Sequence, residues 1–241
     1  MIGAGSVGFT RQLVRDILSV PEFGGIEIAF TDINAQNLQM VEQLVRRDIE
    51  ANGLPAKLTA TLDRRAAIAD AKYIFSFIRA GGLEGFQHDV DIPLKYGVDQ
   101  CVGDTLGPGG VMYAQRGIPA LLDFCKDIRE VAAPGALFLN YSNPMAMLTW
   151  ACAQYGGVDV LGLCHGVQGG HHQIASVIQH WARRRGKIGP EETVRKKDVD
   201  IVCAGINHQT WYIQVRWRGE DMTGMLLEAF QEHPDFSVTE K

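Results

Sequence analysis

The hexapeptide GAGSVG at residues 3–8 constrains this chain more than any other feature. Its glycines, Gly3, Gly5 and Gly8, fall in the G-x-G-x-x-G spacing. A helical stretch, FTRQLVRDILSV, follows with Leu13, Ile17 and Leu18 on one side. After the break PEFGG, the segment IEIAFTD alternates and ends in Asp32. Glycine turn, helix, strand and acid in this order read as a dinucleotide-binding unit, with a merely structural strand–helix turn as the alternative. Gly3 allows the tight turn, Gly5 lets a diphosphate approach the backbone, and Gly8 lets the helix pack closely on the strand. The helix start at Ser6 offers N–H groups and the positive end of the helix dipole. The Asp32 carboxylate can bond the hydroxyls of a ribose. Gly3, Gly5, Ser6, Gly8 and Asp32 are therefore the candidate cofactor-binding residues.

Only Met1 and Ile2 precede the glycines, where such a unit has a first strand of about five residues. The expectation is a start codon assigned too late or a trimmed N-terminus, with a weakened sheet. Strands and helices then alternate. Helix is expected over 34–53, strand over 56–63, a short helix over 64–70 and strand over 71–78. Helix follows over 110–132, strand over 135–144, helix over 144–156, strand over 158–164, a glycine-rich turn, and helix over 171–186. This alternation predicts a parallel sheet with right-handed crossovers. From about residue 196 the texture changes to β-branched and aromatic residues in rough alternation, which reads as antiparallel strands. The expected fold class is α/β: a Rossmann-like doubly wound parallel sheet over 1–195, its first strand truncated, and the beginning of a second, α+β domain over 196–241.

Apolar residues make up 46% of the 241, which excludes disorder. The net charge of -5 gives no support to a nucleic-acid partner, and the run Arg183-Arg184-Arg185 reads as a solvated helix end. No apolar run approaches the roughly 20 residues of a membrane span, and the N-terminus lacks the pattern of a signal peptide. Five cysteines, Cys101, Cys125, Cys152, Cys164 and Cys203, form an odd, irregular set that argues against a disulfide framework. A reducing cytoplasm is the natural reading.

Parallel sheets gather ligands at the carboxyl ends of their strands. Those ends carry Asp32, Arg79 in RAGG, Asn143 in SNP, and Cys164-His165 in CHG. His208 follows a further apolar stretch in AGINH. A thiolate and an imidazole from separate elements, Cys164 and His208, suit a borderline-soft divalent metal with open positions. Cys164 as an inert buried thiol, or as a nucleophile with a histidine base, are the alternatives. A dyad with His165 fits poorly, because adjacent residues at a strand end point in different directions. His171 and His172 are expected to face solvent, and His88, His180 and His233 receive no role.

The segments GAGS with FTDIN, VGDTLGPGG, LFLNYSNPMAM, GLCHGVQG and CAGINH resemble glycoside hydrolase family 4, the NAD- and Mn²⁺-dependent α-glycosidases, in the family's order across nearly the whole chain. DTLGPGG, NPMAM and CHGVQ look most like the α-galactosidase branch, and Cys164-His165 argues against a 6-phosphorylated substrate. The resemblance implies that NAD⁺ takes a hydride from sugar C3, a base removes the acidified C2 proton, the glycosidic oxygen leaves by elimination, water adds, and the hydride returns. It implies Cys164 and His208 as metal ligands and Asn143 as the residue on the sugar hydroxyls. It places Gly3, Gly5, Gly8 and Asp32 on NAD. Arg79 and Asp104 lie in motif segments lining the cleft; Asp104 is carried as a catalytic candidate and Arg79 as a substrate contact. His165 is the candidate proton relay to the leaving oxygen. The partners implied are a small α-linked sugar and, at full length, further copies of the same chain.

Family members are roughly twice this length. The tyrosine that acts at C2 belongs to the half not matched; Tyr113 and Tyr212 fit no such motif. This polypeptide alone is therefore expected to be inactive or nearly so, as a fragment or truncated product. Two other readings stand beside the glycosidase. A 2-hydroxyacid dehydrogenase of the malate/lactate type would share the glycines and Asp32 but has no place for CHG with GINH. A non-catalytic NAD-binding remnant is the other.

Overall fold

The computed structural model describes residues 1–100 and 105–236. The chain forms two compact units, Met1–Leu163 and Cys164–Lys241.

In the first unit, α1 (Val7–Leu18) leads into β1 (Glu27–Thr31). Helix α2 (Ala35–Ala51) begins where the Asn34 side chain accepts the Asn37 N–H, and it buries Leu38, Val41, Val45 and Ile49, a single stripe at helical spacing. It is followed by β2 (Lys57–Thr61) and by α3 (Arg64–Ile68), which Asp63 caps through the N–H groups of Arg65 and Ala66. Then come β3 (Tyr73–Ser76), α4 (Gly82–Lys95), α5 (Gly107–Val131), β4 (Leu137–Asn140), α6 (Met145–Ala151) with a π-helical turn over Cys152–Gly156, and β5 (Asp159–Gly162).

Strand β1 pairs parallel with β2, and β3, β4 and β5 pair parallel in that order. Ile2 joins the two groups, forming parallel bridges to Thr31 on one side and Ser76 on the other. The sequence predicts that the central strand is largely missing; Met1 and Ile2 nonetheless occupy its position. The Ile2 N–H donates to Phe75 C=O at 2.7 Å, Phe77 N–H to Ile2 C=O at 3.1 Å, and Thr31 N–H to Met1 C=O at 2.9 Å. Counting Ile2 as the first strand, the spatial order is 3-2-1-4-5-6, that of a doubly wound dinucleotide-binding sheet. The order reverses between Ile2 and β3, so the crevice opens between the Gly3–Gly5 turn and the segment 77–79. On the β1–β2 side the core is built from Val14, Phe30, Val41 and Val45; around β3 and β4 it is built from Ile74, Leu121, Phe138 and Leu148.

Helix α4 is absent from the sequence-based expectation. Its double-glycine start and internal Pro93 conceal the helical period. It is held to α5 by an ion pair: Arg116 donates to both oxygens of Asp89, at 2.9 Å from Nη1, and the Asp89 side chain is wholly buried. A second cluster joins α3 to α5, where Arg64 and Arg65 both bond Asp127. Burial works against the Asp127 carboxylate, but the hydrogen bonds from Arg64 and Arg65 outweigh it and hold its pKa below the ordinary value. A depressed carboxylate contributes stability that is complete above its unfolded pKa, about 3.9, and is lost as pH falls through the folded one. Acid denaturation of Asp127→Asn is therefore expected to show a shallower loss of stability below about pH 4 than the parent; equal slopes would mean the cluster contributes nothing.

In the second unit, α7 (Gly166–Arg184) packs Ile174, Val177, Ile178 and Trp181 against β6 (Val199–Ile206) and β7 (Gln209–Trp217), an antiparallel pair with a register shift between Val202 and Cys203; β8 (Glu220–Asp221) and α8 (Leu226–Glu232) complete it. Helix α7 starts earlier than predicted: the supposed turn GVQGG is its first turn. Sequence texture divides the chain at 195/196, whereas the compact units meet at Leu163/Cys164, because α7 buries its apolar stripe on the β6–β7 sheet and α8. Arg185 at the end of α7 pairs with Glu228 and Glu232, so part of the basic run is neutralised within the unit.

Candidate functional site

The first unit brings its predicted cofactor residues together. Gly3 has φ of +85°, and a Cβ there would lie 3.0 Å from Ile78 Cγ2. A Cβ on Gly5 would stand 2.8 Å from Asp32 Oδ2 and 3.0 Å from Asn37 Cβ. That space is used: the Gly5 N–H donates to Asp32 Oδ2 at 2.8 Å, while Asn34 N–H donates to Oδ1 at 2.8 Å. Each carboxylate oxygen thus spends one acceptor site on the backbone and keeps another for a hydroxyl. Ser6 precedes α1 with extended backbone and makes no side-chain capping bond. Gly8 departs from the packing role expected of it. It is exposed, and nothing lies within 4 Å of a Cβ built there.

Arg79 follows β3. Its guanidinium lies over the rings of Phe86, at 5.0 Å, and Tyr113, at 5.2 Å. Tyr113 is buried, directs its hydroxyl toward the Ile78 carbonyl at 3.4 Å, and carries Arg116 over its ring at 5.5 Å. Sequence reading finds Arg79 but not this aromatic seat, because Phe86 lies on the helix that it misses. Asn143 is half-buried in the β4–α6 connection. The connection is fixed beside it by buried Asn140, which takes the Ser142 N–H at 3.0 Å and donates to Thr149 Oγ1 at 3.1 Å, and by Ser142 Oγ, which takes the Ile78 N–H at 3.0 Å. Asp104 lies outside the described residues.

In the second unit, residues 44 positions apart converge: Cys164 Sγ is 3.2 Å from His208 Nε2. Cys164 stands just before α7, and the Gly166 N–H donates to its sulfur at 3.3 Å. His208 sits in the β6–β7 turn with φ of +64°. The contact is a sulfur–imidazole hydrogen bond, and it brings both donors within reach of one ion at ligand distances of about 2.3 Å to sulfur and 2.1 Å to nitrogen. The observed separation fits two neighbouring ligands of one ion. Cys164 is half-buried and His208 exposed, so other positions around such an ion are reachable. No third histidine, cysteine or acidic residue joins them among the described residues. His165, adjacent to Cys164, is exposed, and its carbonyl accepts the Gly169 N–H at 2.7 Å. His171, expected in solvent, is instead half-buried, with Nε2 2.7 Å from the Val199 carbonyl. His233 is buried against His180, ring centroids 5.1 Å apart, and bonds Ser176.

Comparison with known proteins identifies the family. Residues 1–180 match the model of the family 4 glycosyl hydrolases, and residues 203–241 match that of their C-terminal domain. An α-galactosidase of Rhizobium meliloti is 54% identical over the whole chain, which spans 46% of that protein. An α-galactosidase of Bacillus subtilis is 34% identical over 92% of the chain and 48% of its own length. The crystal structure of a 6-phospho-α-glucosidase from gut microorganisms, in complex with NAD and Mn²⁺, superposes with a TM-score of 0.78 at 27% identity, over 96% of this chain and 50% of that one. The chain spans about half the length of the curated relatives it matches. With three quarters of its residues matched, in order, by that model, and with a doubly wound sheet beneath them, the chain belongs to family 4 of the glycosyl hydrolases.

Proposed function

We propose that this chain carries the dinucleotide and metal sites of an α-galactosidase that works by transient oxidation of the sugar. The convergence of Cys164 and His208 at 3.2 Å carries the reading. A dehydrogenase of the malate type needs no thiolate–imidazole pair, and a bare nucleotide-binding remnant needs none either. Similarity to two α-galactosidases supports the galactoside, and the histidine after Cys164 supports a substrate without a 6-phosphate.

The groups to be held supply a hydride acceptor for C3 and a Lewis acid for the oxygens at C2 and C3. Cys164 and His208 hold the metal. Gly3, Gly5 and Ser6 present the backbone to the diphosphate, and Asp32 takes the ribose hydroxyls on its remaining acceptor sites. Gly8 leaves the approach to the helix start open. Asn143, fixed by the Asn140 and Ser142 network, bonds sugar hydroxyls, and Arg79, seated on Phe86 and Tyr113, bonds the sugar's polar rim. His165 holds the proton for the leaving glycosidic oxygen, with Asp104 as a further proton-transferring group. No helix among the described residues is long and apolar enough to cross a membrane; a cytoplasmic site of action and assembly with further copies complete the proposal.

For the full-length protein, release of 4-nitrophenol from its α-galactoside that needs both NAD⁺ and Mn²⁺ and stops with EDTA is the expected result, with little or no release from these 241 residues alone. Net NADH formation from malate would favour the dehydrogenase instead, because the glycosidase returns its hydride. The glycines give a second check. Gly5→Ala is expected to weaken NAD⁺ binding by about 10- to 100-fold, since its Cβ displaces the Asp32 carboxylate and with it one or two charged hydrogen bonds of about 1.5 kcal/mol or more each. Gly8→Ala, with open space at its Cβ, is expected to change affinity less than threefold, about 0.6 kcal/mol. Calorimetric titration with NAD⁺ separates the two; equal losses would remove the ribose role of Asp32.

A further inference from the structure

The Cys164–His208 separation is set by two segments that have no covalent reason to meet. Cys164 stands at the head of α7, and His208 at the tip of the β6–β7 hairpin. What fastens head to hairpin is Tyr212, on β7. Its hydroxyl donates to the Val167 carbonyl, in the first turn of α7, at 2.9 Å. Its ring end lies against Gly170, three residues further on: a Cβ there would be 2.7 Å from Tyr212 Cζ and closer still to the hydroxyl oxygen. The three atoms nearest such a Cβ all belong to Tyr212, so the missing side chain is the socket for the tyrosine. Burial is the main cause that holds the Tyr212 hydroxyl above its ordinary pKa, and the hydroxyl is a donor at neutral pH. A second tie, from His171 Nε2 to the Val199 carbonyl, joins α7 to the far end of β6 and leaves the hairpin tip to Tyr212.

We infer that Tyr212, seated in the Gly170 socket, is a positioning residue that holds the head of α7 against the β6–β7 hairpin and so sets the spacing of Cys164 and His208 for one metal ion. This inference rests on the proposed metal site. The Tyr212 hydroxyl bonds the backbone of α7, so it acts through the backbone that carries Cys164. Outer groups that orient metal ligands typically change affinity by about 10- to 100-fold when removed.

Co²⁺ titration of the whole chain tests it, with the thiolate-to-cobalt charge-transfer absorption as readout and Cys164→Ser as the control that must abolish the band. Tyr212→Phe, which keeps the ring and drops the hydroxyl, is expected to weaken Co²⁺ binding about tenfold with the thermal midpoint little changed and with faster amide exchange over 166–170. Gly170→Ala is expected to do the same or worse, and to add little in a Tyr212→Ala background, where the socket is already empty. A Cys164-dependent band whose affinity is indifferent to Tyr212→Phe, with exchange over 166–170 unchanged, overturns the positioning role and leaves the metal site standing. A parent protein with no Cys164-dependent band overturns the metal site and the inference together.

Discussion

Replacing Cys164 by serine is expected to weaken divalent-metal binding by about a hundredfold or more, beyond the range seen for outer groups alone. The thiol can ionise to a soft anionic donor, whereas a serine hydroxyl stays neutral and hard at physiological pH. The geometry adds to this. The sulfur is aimed by the Gly166 N–H and stands 3.2 Å from His208 Nε2, and the shorter C–O bond withdraws the donor from that position. His208→Ala should cost a comparable amount. The double variant should cost little more than either single one, because a site with one of its two protein ligands gone has little left to lose. Competition against a fluorescent chelator measures all three. Full additivity would mean that the two side chains bind different ions, and an unchanged affinity in Cys164→Ser would remove the thiolate from the site.

Arg116→Met is expected to lower the unfolding free energy by about 3–5 kcal/mol, the cost of leaving a buried charge without its partner. The Asp89 side chain is wholly buried, and Arg116 reaches both of its oxygens. Methionine preserves the apolar stem and removes the guanidinium. The double replacement Asp89→Leu with Arg116→Met should recover much of the loss, since it removes the charge as well as its partner. Urea denaturation reads both; a single-variant loss below about 1 kcal/mol, the scale of an exposed pair, would mean that water replaces the arginine at Asp89. The same arginine lies over Tyr113, the ring that also seats Arg79. Even in protein that remains folded, Arg116→Met should therefore loosen Arg79.

The legible parts of the fold share one property: their cause is local. Helix α2 is written in the spacing of Leu38, Val41, Val45 and Ile49 and in its Asn34 cap, and Asp32 directly follows a strand whose alternation is plain. The order of glycine turn, helix, strand and acid needs no partner from elsewhere to be read. A local signal misleads where it has two meanings. Glycines at 166, 169 and 170 read as a turn, yet they lie in the first turn of α7, and at Gly170 the lack of a side chain serves a neighbour and not the backbone. Gly8 holds the packing position of the motif, yet no atom of another element lies within 4 Å of a Cβ built there. Helix α4 was hidden by Gly81, Gly82 and Pro93, and is held by an arginine on another helix.

By itself the sequence determined the alternation of strands and helices, the glycine turn with its acid, and the candidacy of Cys164 and His208 through their residue types and their places at element ends. Only the tertiary structure decided that Met1 and Ile2 complete the sheet, that Arg79 rests on two rings, and that the thiol meets His208 instead of the adjacent His165. The reason is physical. Periodicity and capping act within about one turn or one strand, whereas a ligand pair 44 residues apart is fixed by whichever side chains lock its two backbones together, and those contacts are paid for by the packing of the whole unit.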